Sequence, residues 1–170
     1  AFVKKMVDPD AGDRLYRNDN NHFTDVTQLA GIISNPIGYG LSVTASDINN
    51  DGWPDLYVSN DYVEEDYLYI NNKNGGFTDK LKEKLGHISN FSMGVDIADI
   101  NNDGLADIFT LDMLPQDNRR QKLLYAPDNY ELYSNTLQNG FYHQLMRNML
   151  QVNNGNGTFS EVGQTAGISN

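Results

Sequence analysis

Cysteine is absent from the 170 residues, so the fold has no disulfide framework. That absence does not decide the compartment, because many exported bacterial proteins carry no disulfides. Positive charge is scarce. Twelve Lys and Arg against 23 Asp and Glu leave a formal charge of -11, which disfavours nonspecific binding to nucleic acid. No apolar run is long enough for a transmembrane segment, and no signal peptide is evident. The usual signatures of catalysis are missing too: there is no phosphate-cradling glycine loop and no nucleophile elbow. The histidines, His22, His87 and His143, share no spacing with a nucleophile or a metal-ligand pattern, and His22 is expected as an exposed turn residue. The chain is therefore read as a non-enzyme.

What is present is a repeated acidic loop. Asp47-Ile48-Asn49-Asn50-Asp51-Gly52-Trp53-Pro54-Asp55 returns fifty-two residues later as Asp99-Ile100-Asn101-Asn102-Asp103-Gly104-Leu105-Ala106-Asp107. Calcium takes about 6–8 oxygen ligands at roughly 2.3–2.6 Å in irregular geometry. In a tight loop, positions 1, 3 and 5 turn inward together, which selects Asp47, Asn49 and Asp51 in one copy and Asp99, Asn101 and Asp103 in the other. Glycine at position 6 permits the sharp turn. The position-7 carbonyls of Trp53 and Leu105 can then donate, and Asp55 and Asp107 at position 9 can complete each shell. The expectation is two Ca²⁺ sites, which would bring the net charge to about -7.

Other calcium motifs do not fit. An EF-hand needs a bidentate Glu at position 12 and flanking helices, whereas position 12 is Val58 or Thr110 and the flanks Leu41–Ser46 and Leu56–Ser59 read as strands. Glycine-rich nonapeptide repeats are absent, and cysteine-bearing calcium repeats are ruled out. A metal-free Asx turn remains the bland alternative, but it does not require acids at positions 1, 5 and 9 twice over.

A second phrase interleaves with the first. Leu15-Tyr16-Arg17-Asn18 leads to Phe23-Thr24-Asp25, Leu68-Tyr69-Ile70-Asn71 to Phe77-Thr78-Asp79, and Leu150-Gln151-Val152-Asn153 to Phe159-Ser160. Each reads as a strand, an Asn/Gly turn, a strand opened by Phe and a short helical turn stopped by Gly. Together the two phrases give four strands per unit at a spacing of roughly 40–60 residues, the pattern of a β-propeller blade.

These residues resemble the FG-GAP or VCBS repeats of integrin-α-type propellers, with the closest likeness to bacterial members that carry an ASPIC/UnbV module. The resemblance covers about residues 14–112 and 147–169, and it implies that each acidic loop joins the first two strands of a blade and binds calcium. One departure is an insertion at 113–146, which stretches the spacing of the Asn marker from 53 (Asn18 to Asn71) to 82 (Asn71 to Asn153).

The expected fold is all-β, with about two and a half four-stranded antiparallel blades and a short helical insertion in the last. Its parts are an N-terminal segment and half-blade at 1–40, a complete blade with the first loop at 41–92, and a blade with the second loop and the insertion at 93–170. Closed propellers have about four to eight blades. The partners are therefore other blades of the same protein, or further copies of the chain added head to tail, an arrangement that would build a filament if it did not close. In the insertion, helices are expected from Asp117 to Tyr125, broken at Pro127, and from Asp128 to before Asn139-Gly140. Its basic cluster Arg119, Arg120, Lys122 reads as a solvated face pairing with local acids or as a partner contact. Its rings Tyr125, Tyr130, Tyr133, Phe141 and Tyr142 read as core or as a surface for a glycan or protein ligand.

Calcium at millimolar levels lies outside the cytoplasm, so an extracellular or cell-surface setting is expected. Asn90 and Asn156 open N-glycosylation tripeptides. Two functions stay open: a non-catalytic calcium-binding module for adhesion, glycan binding or fibre building, and the propeller domain of an extracellular carbohydrate-active enzyme.

Overall fold

Asparagine and glycine turns divide the chain into short antiparallel strands, most of them three to five residues long, as expected where each strand crosses only one blade. The computed structural model describes residues 6, 8–123 and 129–168. Strands β1 (Tyr16–Asp19) and β2 (His22–Asp25) form a hairpin. Strands β3 (Tyr39–Ser46), β4 (Asp55–Asp61), β5 (Tyr67–Asn71) and β6 (Phe77–Asp79) follow as a four-stranded antiparallel meander. Helix α1 (Leu81–Lys84) and the short β7 (Ile88–Ser89) lead to β8 (Gly94–Ala98) and β9 (Asp107–Leu111). After the insertion, which holds α2 (Asn118–Gln121), α3 (Tyr130–Gln138) and β10 (Gln144–Leu145), come β11 (Met149–Asn153) and β12 (Phe159–Glu161). The second four-stranded sheet runs β8-β9-β11-β12. The protein is thus all-β, built of propeller-like blades that form no closed barrel among the described residues.

Register explains the repeated phrases. Ser46 pairs with Asp55 and Ala98 with Asp107, so each acidic loop is closed by the same strand pair. In all three outer hairpins an Asn faces a Phe: Asn18 with Phe23, Asn71 with Phe77, and Asn153 with Phe159. The first hairpin differs in its turn. Asn20 and Asn21 both take positive φ, 54° and 69°, and Asn tolerates this conformation well enough to build a two-residue turn. His22 is consequently not in the turn, as the sequence suggests, but in β2 opposite Asp19.

The core lies between the two four-stranded sheets. Ile48, Tyr57, Leu68, Leu81, Leu85, Ile88, Ile108 and Phe159 are buried there, with Val95 and Ile97 packed against them. Each fully buried aliphatic side chain contributes roughly 1.5–3 kcal/mol. The Thr44 hydroxyl donates to the Val95 carbonyl at 2.9 Å and pins the two inner strands together. On the opposite face, Leu41 and Val43 are exposed, although Val43 is the repeat counterpart of the packed Val95. Leu15, Leu41, Val43, Ala45, Leu56 and Val58 line an open cavity of about 500 Å³ there. Among the described residues β1 pairs only with β2, so this face lacks the inner strand pair of a third blade.

The insertion leaves from the end of β9 remote from the acidic loops. Its helices are capped locally: Asp117 accepts from the Arg120 amide at 2.9 Å and Asn129 from the Leu132 amide at 3.0 Å. Residues 124–128, including the expected helix end at Tyr125, the Pro127 break and the Asp128 start, lie outside the described residues. The return segment is tied to the first complete blade. β10 pairs in parallel with β7, the Tyr142 amide donates to Glu65, and the Tyr142 hydroxyl donates to the Leu85 carbonyl at 2.7 Å.

Candidate metal loops and an aromatic cavity

The two acidic loops have the same internal wiring. In the first, Asp47 accepts from the amides of Asp51 and Gly52 at 2.9 and 2.8 Å, and Asn49 also accepts from the Asp51 amide at 3.1 Å. Asp51 accepts from the Trp53 amide at 3.0 Å and from the Asn49 side chain at 3.0 Å. In the second, Asp99 accepts from Asp103 and Gly104 at 3.0 and 2.9 Å, while Asp103 accepts from Leu105 and from Asn101 at 2.9 Å each. The side chains at positions 1, 3 and 5 therefore converge in both copies. The turn needs more than its glycine: Asn50 and Asn102 at position 4 also take positive φ, 56° and 60°. The loops are neighbours, with the Asn50 side chain donating to the Gly104 carbonyl at 3.3 Å.

Position 9 plays a different part from the other acids. Asp55 and Asp107 are fully buried. Asp55 accepts from the Ile48 amide at 3.1 Å and the Asn71 amide at 2.8 Å. Asp107 accepts from the Ile100 amide at 3.0 Å and the Asn153 amide at 2.8 Å. Each brace thus joins the second loop residue to the third strand of its blade. The Asn marker of the strand repeat completes it: the Asn71 side chain donates to the Pro54 carbonyl, and the Asn153 side chain to the carbonyls of Ala106 and of Ile48 in the neighbouring blade. Burial raises the pKa of Asp55, against the pull of the Asn71 and Ile48 amides.

The donor set is made only of oxygen, from Asp, Asn and backbone carbonyls, which is the chemistry of a hard cation. Among the described residues no three acidic or histidine side chains gather as a cluster that could hold a metal. A cation in either loop would be held chiefly by positions 1, 3 and 5 and the position-7 carbonyl.

The opposite end carries a cavity of about 460 Å³ between the insertion and the blade loops. Tyr62, Phe91, Tyr130 and Tyr133 line it, with amide side chains from Asn90 and Gln144. None of its lining side chains is acidic or basic, in a chain of net charge -11. Tyr62 has a positive φ of 67°, a strained conformation for a bulky residue, and stands edge-on to both Tyr39 and Phe91 at 5.5 and 6.3 Å. The insertion's rings thus divide: Tyr130 and Tyr133 face the cavity, Tyr142 packs on the core, and Tyr125 lies outside the described residues. Arg119, Arg120 and Lys122 are exposed.

The remaining candidates fall elsewhere. His87 sits 3.2 Å from Glu161 and 3.1 Å from Arg147, a tie between the blades, and His143 meets the Tyr133 hydroxyl at 2.7 Å. Asn90 borders the aromatic cavity, and Ser92 of its tripeptide is buried with its hydroxyl on Asp66 at 2.8 Å. Asn156 lies in the exposed β11–β12 turn, where it accepts from the Thr158 amide and hydroxyl.

Known sequences match part of the chain. A family profile for FG-GAP-like repeats matches residues 6–58 and 47–110, a span that contains both acidic loops. Integrin alpha-3 of Mus musculus and of Cricetulus griseus are each 35% identical over 81 residues, 41% of this chain and 8% of theirs. The chain thus spans less than a tenth of the length of these curated relatives. With its profile matched over more than half its length and its blades built around the matched loops, the chain belongs to the FG-GAP-like repeat family.

Proposed function

We propose that the chain is a non-catalytic, calcium-binding repeat module of the adhesion type, working outside the cell or at its surface. The carrying observation is the pair of loops with matching internal hydrogen bonding and the same oxygen donors at positions 1, 3, 5, 7 and 9. Calcium ties the strand ends of each blade together, so the metal is structural. The open apolar face beside β3 takes further blades of the same protein or another copy of the chain. The uncharged aromatic cavity at the opposite end supplies a surface for a glycan or protein ligand. Of the two acceptor asparagines, Asn156 offers the accessible site for an N-glycan. The likeness to bacterial proteins with an ASPIC/UnbV module belongs to the same reading.

Calcium addition tests this directly. At about 1 mM Ca²⁺ and a dissociation constant near 0.1 mM, each site stabilises by about 1.4 kcal/mol. Two sites should raise the melting temperature by about 5–10 °C over a chelator-treated sample, with two ions bound per chain by calorimetry. An unchanged melting curve and no binding heat would remove calcium from the proposal. Turnover of an acidic polysaccharide by the purified chain would replace the module with a domain of a carbohydrate-active enzyme.

A further inference from the structure

The hairpins beside the two loops have the same backbone turn and differ within it at Lys73 and Gly76, where the other copy has Gly155 and Thr158. In β5–β6, the Asn72 amide donates to the Gly76 carbonyl at 2.9 Å and the Lys73 amide to the Asn71 side chain at 2.8 Å. In β11–β12, Asn154 and Gly155 make the same bonds to Thr158 and Asn153, each at 3.0 Å. The backbone at this position is left-handed in both copies, with φ of 62° at Lys73 and 70° at Gly155. Glycine adopts that conformation freely, and a lysine only at a cost. The lysine's ammonium lies 3.3 Å from Asp51 Oδ2, the oxygen that also accepts from Asn49. The matching oxygen of Asp103 accepts from Asn101, and the residue that matches Lys73 there has no side chain.

We propose that Lys73 is a tethered competitor cation that makes the first loop the weaker of two unequal calcium sites. The inference rests on the reading of the loops as calcium sites. The ligand residues of the two loops are the same in type and order, so ligand identity gives no reason for different affinities. The ammonium supplies the difference. Calcium reaching Asp51 must displace a cation already paired there, and afterwards a positive charge remains close to a divalent ion. The second loop therefore fills first as calcium rises. At intermediate calcium the chain holds one ion, with the first loop closed by its own lysine, and only higher calcium frees that lysine to solvent.

Calorimetric titration of the full chain with CaCl₂ tests this. Asp103→Asn disables the second loop and isolates the first, and Asp51→Asn does the reverse. In the Asp103→Asn chain, Lys73→Gln removes the charge while keeping a side chain in the left-handed turn, and Lys73→Gly copies the other hairpin. Both should tighten the first loop on the order of tenfold at low ionic strength, with the gain shrinking in high salt, and Lys73→Arg should not. Affinity unchanged within about twofold in Lys73→Gln and Lys73→Gly would overturn the proposal, as would tightening by Lys73→Arg. Should the Asp103→Asn chain fail to fold, the otherwise unmodified protein decides: its two-step isotherm should merge toward one step in Lys73→Gln, and unaltered steps would count against the role of the lysine. Calcium uptake by the Asp51→Asn chain alone leaves the calcium reading standing and overturns this one. Absence of binding in every chain, the unmodified protein included, ends both.

Discussion

Asp55→Ala is expected to destabilise the protein by about 2–4 kcal/mol even with calcium chelated, because it strips partners from a buried and a partly buried backbone amide at once. Those amides belong to Ile48 and Asn71, and both donate to the one carboxylate. Asp107→Ala should cost somewhat less, since it strips the Asn153 amide in the same way but its second partner, Ile100, is half-exposed and water can take over there. It also loosens Asn153, whose side chain holds the Ile48 carbonyl of the other blade. Asp47→Ala provides the contrast. Its carboxylate serves the Asp51 and Gly52 amides in a partly exposed loop, where water can take over, so the loss in chelator should be about 1 kcal/mol. With calcium present that loss should grow by the binding free energy of one site. Urea unfolding of the three variants, with and without calcium, separates brace from ligand. Should Asp55→Ala lie within 1 kcal/mol of the unmodified protein in chelator, the bracing role fails.

That division of labour was only half visible in the sequence. The acidic loops could be read because their ligand spacing is local, and the blades because strand phrases recur beside them. The Asn marker was legible as a repeat signal, but its mechanism was not. Asn153 reaches Asp107 across 46 residues, and a sequence shows neither that approach nor the backbone amides that the buried position-9 acid serves. Lys73 gave no signal either, because its meaning comes from a left-handed φ and from a carboxylate in another loop. The insertion's rings could not be sorted between core and cavity for a similar reason. Tyr142 and Tyr133 differ in which element passes beside them, and their neighbours Leu85 and Phe91 come from the blade segment before the insertion.

Raising the pH from about 5 to about 8 in chelator should lower stability by about 2–4 kcal/mol, through Asp66. This residue is fully buried, and burial pushes its carboxyl up to about 7. The Asn60 amide at 2.8 Å, the Tyr57 hydroxyl at 2.7 Å and the Ser92 hydroxyl at 2.8 Å pull it down without offsetting that, and the carboxylate of Asp112 adds to the rise. In the unfolded chain the group titrates near about 3.9. Between roughly 4 and 7 the folded state therefore holds a proton that the unfolded state has released. Its stabilising effect is full below that window and is lost as pH climbs through it. Asp79 and Asp112, also raised by burial, act in the same direction. Asp66→Asn keeps the shape and removes the titration, so the difference in unfolding free energy between pH 5 and 8 should shrink by half or more. Parallel pH profiles for the two proteins would exclude Asp66 as the source.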